Sequence, residues 1–134
     1  MTLAAPPTVR QMMDRVFVKL TPDMPVSQAV SILLKKNLTG APVVNEDGRL
    51  MGILSEKDCL KTLMIYAYDQ MPAGVVSEFM STEMFSVHPD IEIFQLADLF
   101  LSRVYRRFPV VEDGKLIGQI TRRDLLRAIQ DYWA

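Results

Sequence analysis

The residue types that build metal centres and nucleophilic active sites are scarce in this chain. Its 134 residues include one cysteine, Cys59, and one histidine, His88. A single cysteine excludes an internal disulfide and fits a reducing compartment. With one imidazole and no cysteine–histidine cluster, the sequence predicts neither a metal site nor a nucleophile–base–orienter set. We therefore expect a protein that is not an enzyme, in which Cys59 is an ordinary core thiol and His88 lies at a turn or pocket edge.

The chain also lacks a charge excess and a long apolar run. Its formal net charge is −1, which gives no reason to expect nucleic acid or an anionic membrane as a partner. No apolar stretch approaches the roughly 18 residues of a membrane span. The first residues show no basic segment followed by an apolar core, so we expect no signal peptide and a cytoplasmic location.

One short phrase occurs twice in the chain. Residues 52–58 read GILSEKD and residues 118–124 read GQITRRD. The similarity extends further, because three more segments match segments 66 or 67 positions later. They are residues 9–13 with 76–80, 20–23 with 87–90, and 41–52 with 108–118, with one extra residue near Glu46. The sequence thus predicts two copies of one unit, at residues 8–68 and 75–132, joined by a linker at 69–74.

Each copy follows the pattern of a β-α-β-β-α unit. Apolar residues recur at i, i+3, i+4, i+7 and i+8 from Val26 and from Ile93, which predicts an amphipathic helix in each copy. The dipeptides Asp47-Gly48 and Asp113-Gly114 favour hairpin turns. The predicted strands are residues 17–20, 43–44, 50–54, 85–87, 110–111 and 116–120, and the predicted second helices are 56–68 and 122–132.

Two such copies predict an α/β fold of the α+β kind. One unit of roughly 60 residues is near the lower limit for a self-sufficient core. We therefore expect two pseudo-symmetric units that pack sheet to sheet.

The repeated phrase has two interpretations, and both can hold. Ser55 with Asp58, and Thr121 with Asp124, have the spacing of a capping box, in which the hydroxyl caps the helix and the carboxylate reaches back to the cap's amide. The beginning of a helix also attracts phosphate, and a carboxylate one turn further can accept hydrogen bonds from the two hydroxyls of a ribose. The residues that would add charge or leave room for such a ligand are Lys57, Arg122, Arg123, Gly52 and Gly118.

With these features the chain resembles a tandem pair of cystathionine-β-synthase (CBS) domains, a Bateman module, over about residues 8–130. The resemblance rests on the internal repeat, on the PVV segment followed by DGxLxG, and on the final hydroxyl-x-x-Asp, each present in both copies. In this family, paired domains form two symmetry-related clefts that often bind AMP, ADP, ATP or S-adenosylmethionine. Two modules commonly stack as a homodimer.

The nucleotide-binding residues that the resemblance implies stand at strand ends and helix starts of both copies. They are Asp58 and Asp124 for the ribose hydroxyls, Ser55 and Thr121 for phosphate, Thr21 and His88 for the adenine pocket, and Gly40, Ala41, Pro42, Arg107, Phe108 and Pro109 for the border of the base. Phe108 would either stack on a base or fill its pocket.

The two copies depart from each other at one point of the family pattern. Family members often carry a basic residue just before the PVV segment, and Arg106 and Arg107 match it, whereas Thr39 and Gly40 do not. The resemblance therefore implies two unequal sites, with the more phosphate-rich ligand at the second copy.

Two functional hypotheses remain open. In the first, the chain is a regulatory sensor that requires no cofactor, binds an adenosine ligand in the clefts between its domains, changes their arrangement and controls another protein. In the second, it is a dimerisation module that binds no nucleotide, and the repeated phrases are only helix caps. The apolar residues Met64, Ile65, Tyr66 and Tyr68 cover more than one face of a helix, which predicts an oligomer interface and a homodimer.

Overall fold

The structure is a computed structural model that describes residues 4–69 and 74–134. The chain forms two compact units: unit I is Val18–Met84, and unit II is Met1–Phe17 with Phe85–Ala134. Each unit holds a two-stranded antiparallel sheet with helices, so the predicted α+β class is confirmed. Most of the predicted linker, residues 69–74, lies outside the described residues.

The helices begin and end at, or close to, the predicted positions. In chain order the elements are α1 Val9–Met12, α2 Val26–Lys36, β1 Gly40–Val44, β2 Leu50–Ser55, α3 Glu56–Asp69, a 3₁₀ turn Val76–Glu78, α4 Ile93–Ser102, β3 Arg107–Glu112, β4 Lys115–Thr121 and α5 Arg122–Trp133. Unit I contains α2, β1, β2, α3 and the 3₁₀ turn, and unit II contains the rest.

A tight turn joins the two strands of each sheet, as the Asp-Gly dipeptides predict. In unit II, Asp113 and Gly114 have φ of 53° and 80°. Two successive positive φ values fit the right-handed twist of a hairpin, and aspartate and glycine are among the residues that adopt them at least cost. In unit I, Gly48 has φ of 81°, and the Asn45 side chain closes the turn by accepting two backbone N–H bonds of 3.0 Å.

The predicted first strand of each copy is reduced to a single bridging residue. Leu20 pairs in parallel with Val43, and Val87 pairs in parallel with Val110. A proline stands two positions after each bridging residue. Because the next hydrogen bond of the ladder would need the N–H of that residue, proline ends the pairing there.

Each unit has its own hydrophobic core. In unit I it comprises Leu20, Ala29, Leu33, Ala41, Val43, Leu54, Cys59 and Val76. In unit II it comprises Val9, Met13, Val87, Ile93, Leu96, Phe100, Phe108, Val110, Ile120, Leu125 and Ala128. The last residue of each predicted apolar stripe lies outside the core, since Leu34 is 74% exposed and Leu101 is 86% exposed.

The first turn of each sequence repeat packs in the unit that contains most of the other repeat. Val9 of α1 is fully buried in unit II, and Val76 of the 3₁₀ turn is fully buried in unit I. Each donates its N–H to a carbonyl of that unit at 2.9 Å. The repeats predicted at 8–68 and 75–132 are therefore each divided between the two compact units.

Candidate functional site

In both units the repeated phrase lies where the sheet ends and a helix begins. In unit II, the Thr121 hydroxyl accepts the N–H of Asp124 at 3.1 Å, and the Asp124 carboxylate accepts the N–H of Thr121 at 3.0 Å. In unit I, the Ser55 hydroxyl accepts the N–H of Asp58 at 3.2 Å. The N–H and the hydroxyl of Ser55 both donate to Asp58 Oδ2 at 2.9 Å. The predicted capping boxes are thus present in both copies.

The first turn of each helix is largely satisfied by the protein itself. The N–H of Glu56 donates to the Thr39 carbonyl at 2.9 Å, and the N–H of Arg122 donates to the Arg106 carbonyl at 3.1 Å. Together with the cap hydroxyls, which accept the third amide, protein oxygens thus accept the N–H groups of two of the first three residues in each helix. A phosphate here would therefore rely on the second amide, on side chains, and on the helix dipole.

Strand pairing brings the expected base-border residues next to the caps. Gly40 lies opposite Ser55, and Arg107 lies opposite Thr121. The carboxylate-bearing side chain of Asp124 is 25% exposed, so a ligand at this end of β4 could reach it. Within unit I the structure brings together Gly40, Ala41, Pro42, Ser55, Lys57 and Asp58, and within unit II it brings together Arg107, Phe108, Pro109, Thr121, Arg122, Arg123 and Asp124.

The Phe108 side chain fills the core of unit II. It has no exposed surface, and its ring centroid lies 4.5 Å from that of Phe100 and 5.4 Å from that of Phe85. This packing leaves the ring no exposed face on which a base could stack. Ala41 is likewise buried, at 3% exposure.

Thr21 and His88 lie at the other end of their sheets. Thr21 follows Leu20, whose parallel partner is Val43, and it therefore stands near the hairpin turn. Gly40 is about four residue positions away along the same sheet, or roughly 13 Å. Each unit thus separates its expected adenine residue from its own ribose and phosphate residues.

The two units carry different charge at the capped end. In unit I the exposed cations there are Lys57 and Lys61, and the exposed residue at the position of Arg122 is Glu56. In unit II, Arg122 and Arg123 are exposed, and Arg127 lies 3.7 Å from the Asp124 carboxylate. The sequence predicts two unequal sites. In the structure, the two capped ends have similar helix caps and differ in the exposed positive charge around them.

The glycines of the phrase leave no room for a ligand, which corrects one expectation. A Cβ at Gly52 would lie 2.7 Å from Met80 Sδ and 2.8 Å from the Ser81 carbonyl oxygen. A Cβ at Gly118 would lie 2.5 Å from Met13 Sδ. Both glycines admit a methionine from the turn that packs into their unit, so their role here is in packing.

Cys59 has the surroundings of an inert core thiol. It is 6% exposed, and burial, followed by the nearby carboxylates of Asp58 and Glu56, raises the pKa of its thiol. A thiol with a raised pKa is a poor nucleophile.

His88 has neighbours that its sequence spacing did not reveal. Its Nδ1 accepts the N–H of Asp90 at 3.1 Å, and Glu112 lies close by. The guanidinium of Arg10 hydrogen-bonds to both carboxylates, and it holds the pKa of Glu112 below its usual range. Because Arg10 and Glu112 are 102 positions apart, the sequence offered no local signal for this cluster.

Among the described residues, no helix is both long and apolar enough to cross a membrane.

Two capped hairpin-and-helix units in one chain define a tandem-repeat α+β protein. The CBS domain family model matches the chain twice, at residues 9–65 and 76–131. The chain therefore belongs to the CBS domain family.

Two similar proteins match the chain over most of its length. The CBS domain-containing protein YhcV of Bacillus subtilis is 31% identical over 119 residues, which cover 88% of this chain and 82% of the relative. The crystal structure of CBSX2 in complex with AMP, a protein of Arabidopsis thaliana, has 29% identity and a TM-score of 0.82, and the match covers 96% of this chain and 99% of that one.

Other relatives are much longer than this chain. The A-adding tRNA nucleotidyltransferase of Aquifex aeolicus is 29% identical over 123 residues, and the chain spans only 14% of its length. The domain pair therefore also occurs as one part of a larger protein.

Proposed function

We propose that the chain is a regulatory module that binds an adenosine-containing nucleotide and signals through a changed arrangement of its domains. The ligand is AMP, ADP, ATP or S-adenosylmethionine, and the module itself catalyses no reaction and needs no cofactor. We also propose a homodimer and a cytoplasmic location. The observation that carries the proposal is the likeness to CBSX2, which was crystallised in complex with AMP.

The geometry of each unit supports this proposal. A carboxylate, a hydroxyl and exposed cations stand together at the capped end of the sheet, where ribose and phosphate would find partners. Asp58 and Asp124 are then the ribose acceptors, and Ser55 and Thr121 contact phosphate, for which the Ser55 hydroxyl must turn away from Asp58 Oδ2. Because Arg122 and Arg123 are both exposed in unit II, we assign the ligand with more phosphates to that unit.

A second candidate is a dimerisation module that binds no nucleotide. The observations that favour it are the completed capping boxes and the exposed apolar side chains of α3, among them Met64 at 52% and Tyr68 at 78% exposure. In this case the phrase is repeated because both helices need a cap.

Thermal unfolding with a panel of ligands separates the two candidates. The purified protein is heated with AMP, ADP, ATP, S-adenosylmethionine or GMP. A ligand at about 100 times its dissociation constant stabilises the folded state by roughly 2.7 kcal/mol, which corresponds to a shift of several degrees for a chain of this size. We expect a shift with an adenosine ligand and none with GMP. No shift with any ligand would favour the dimerisation module.

The matched variants are Asp58→Glu and Asp124→Glu. Glutamate is the usual residue at this position of a capping box, so the melting temperature without ligand should change little. The longer side chain moves the carboxylate away from the ribose position, and the ligand-induced shift should fall for the unit concerned. An unchanged shift in both variants would show that neither carboxylate holds the ligand.

A further inference from the structure

Three potential metal ligands converge at the hairpin end of unit II. His88 and Asp90 belong to the loop before α4, and Glu112 ends β3. One ligand atom from each of these side chains lies within 4.8 Å of the other two. They belong to neither the capped end of the sheet nor the helix caps, so the function proposed above does not account for the whole cluster.

A positive charge already occupies this cluster. The Arg10 guanidinium donates to Asp90 Oδ1 at 3.0 Å and also to Glu112 Oε2. Two carboxylates and one guanidinium leave a formal charge of −1 when the imidazole is neutral. The two carboxylates therefore already face a cation. Because Arg10 neutralises only one of their two negative charges, an ion of charge +2 would match them better.

The equivalent positions of unit I show that the fold does not need these residues. The sequence repeat places Thr21, Asp23, Asn45 and Ser77 where unit II has His88, Asp90, Glu112 and Arg10. Unit I builds the same bridge and hairpin with only one charged group among these four. The cluster is thus a property of unit II alone.

The donor atoms select a class of metal ion. Nδ1 of His88 lies 3.7 Å from Asp90 Oδ2 and accepts the N–H of Asp90, a hydrogen bond that an ion bound at Nδ1 would replace. One imidazole nitrogen with two carboxylates suits zinc or a similar first-row divalent ion, whereas magnesium and calcium prefer oxygen alone. The side chains of His88 and Asp90 are 56% and 62% exposed, so water can supply the remaining ligands.

We propose that His88, Asp90 and Glu112 form a binding site for a divalent transition-metal ion. Arg10 is the internal competitor of that ion. In the metal-free protein its guanidinium neutralises the two carboxylates, and the ion displaces it on binding. Metal binding would thereby release one side chain of α1 from the loop before α4.

Calorimetric titration with Zn²⁺ tests the site. The protein for this titration is prepared without a histidine tag and is first treated with a chelator. We expect one equivalent of bound zinc, with the affinity lowered at least about tenfold in His88→Ala and in Glu112→Gln. Both side chains are at least partly exposed, so both variants should fold. The visible absorption of bound Co²⁺ gives a second readout that should disappear in the same variants.

Arg10→Gln is the decisive variant, because it should bind Zn²⁺ more tightly than the natural chain. Asp23→Asn, at the equivalent position of unit I, is the matched control and should leave zinc binding unchanged. Absence of zinc binding, or zinc binding that His88→Ala and Glu112→Gln both leave intact, would overturn the site. Loss of the zinc signal in Cys59→Ser would assign it to the thiol and overturn the proposal as well. An affinity unchanged by Arg10→Gln would overturn the competition.

Discussion

At the scale of single residues, the two glycines of the repeated phrase leave little room for a side chain. A side chain at Gly52 meets Met80 Sδ and, at 2.8 Å, the backbone oxygen of Ser81. A side chain at Gly118 meets mainly the flexible Met13. We expect Gly52→Ala to lower the free energy of unfolding by about 1–3 kcal/mol and Gly118→Ala by less, since overpacking is costly when the neighbour is backbone. Urea denaturation measures both.

Gly48→Asn is the control for this prediction. Nothing lies within 4 Å of a Cβ at Gly48, and its φ of 81° is in the left-handed region, which asparagine tolerates better than other residues with a side chain. It should cost less than Gly52→Ala. A Gly52→Ala protein as stable as the natural chain would show that the methionine turn has room to move.

At the scale of elements, the capping boxes decide where α3 and α5 begin. Replacing Thr121 by alanine removes the acceptor of the Asp124 N–H, and we expect a loss of about 1 kcal/mol. Ser55→Ala should act in the same way on α3. Chemical denaturation checks both, and Thr121→Ser is the matched control because it retains the hydroxyl. Equal stability of Thr121→Ala and Thr121→Ser would contradict the role of the cap.

The helices, the Asp-Gly turns and the caps could be predicted because each depends on residues close together in sequence. The periodicity from Val26, for example, determines the buried face of α2 within a few turns. The first strand of each copy is shorter than predicted because proline lacks the N–H that would continue the pairing. The prediction of these strands considered only the run of apolar residues. The methionine beside Gly118 and the cluster around Arg10 depend on pairs distant in sequence. No local pattern reports such pairs, so the sequence alone did not reveal them.

At the scale of the whole molecule, α1 and the 3₁₀ turn each pack into the core of one compact unit. We therefore expect each of them to unfold together with that unit. Val9 is buried in the core of unit II and Val76 in that of unit I. Val9→Ala should cost about 1–3 kcal/mol through the cavity it leaves, and hydrogen exchange should rise first in β3 and β4. Val76→Ala should raise exchange first in β1 and β2. Exchange that instead follows the sequence repeats, with Val9→Ala affecting β1 and β2, would contradict this assignment.

The surface of α3 differs from that of its repeat counterpart α5 in a way that bears on self-association. Met64 and Ile65 are 52% and 44% exposed, and the equivalent positions of α5 are Gln130 and Asp131. The same helix in the same fold thus accepts polar residues at both positions. The apolar side chains of Met64 and Ile65 are therefore not needed for the fold of the unit. Exposed apolar side chains of this kind are typical of a surface that binds another protein.

We expect the partner to be a second copy of this chain. The double variant Met64→Gln with Ile65→Asp gives α3 the residues of α5, so it should fold normally and be monomeric, whereas we expect the natural chain to form a dimer. Sedimentation equilibrium measures the change in mass, and hydrogen exchange of β1 and β2 confirms that unit I is intact. The matched control, Gln130→Met with Asp131→Ile, alters α5 and should leave the α3-mediated dimer in place. A double variant that still forms dimers would place the interface on another surface, and a monomeric natural chain would leave the apolar face of α3 for a different protein.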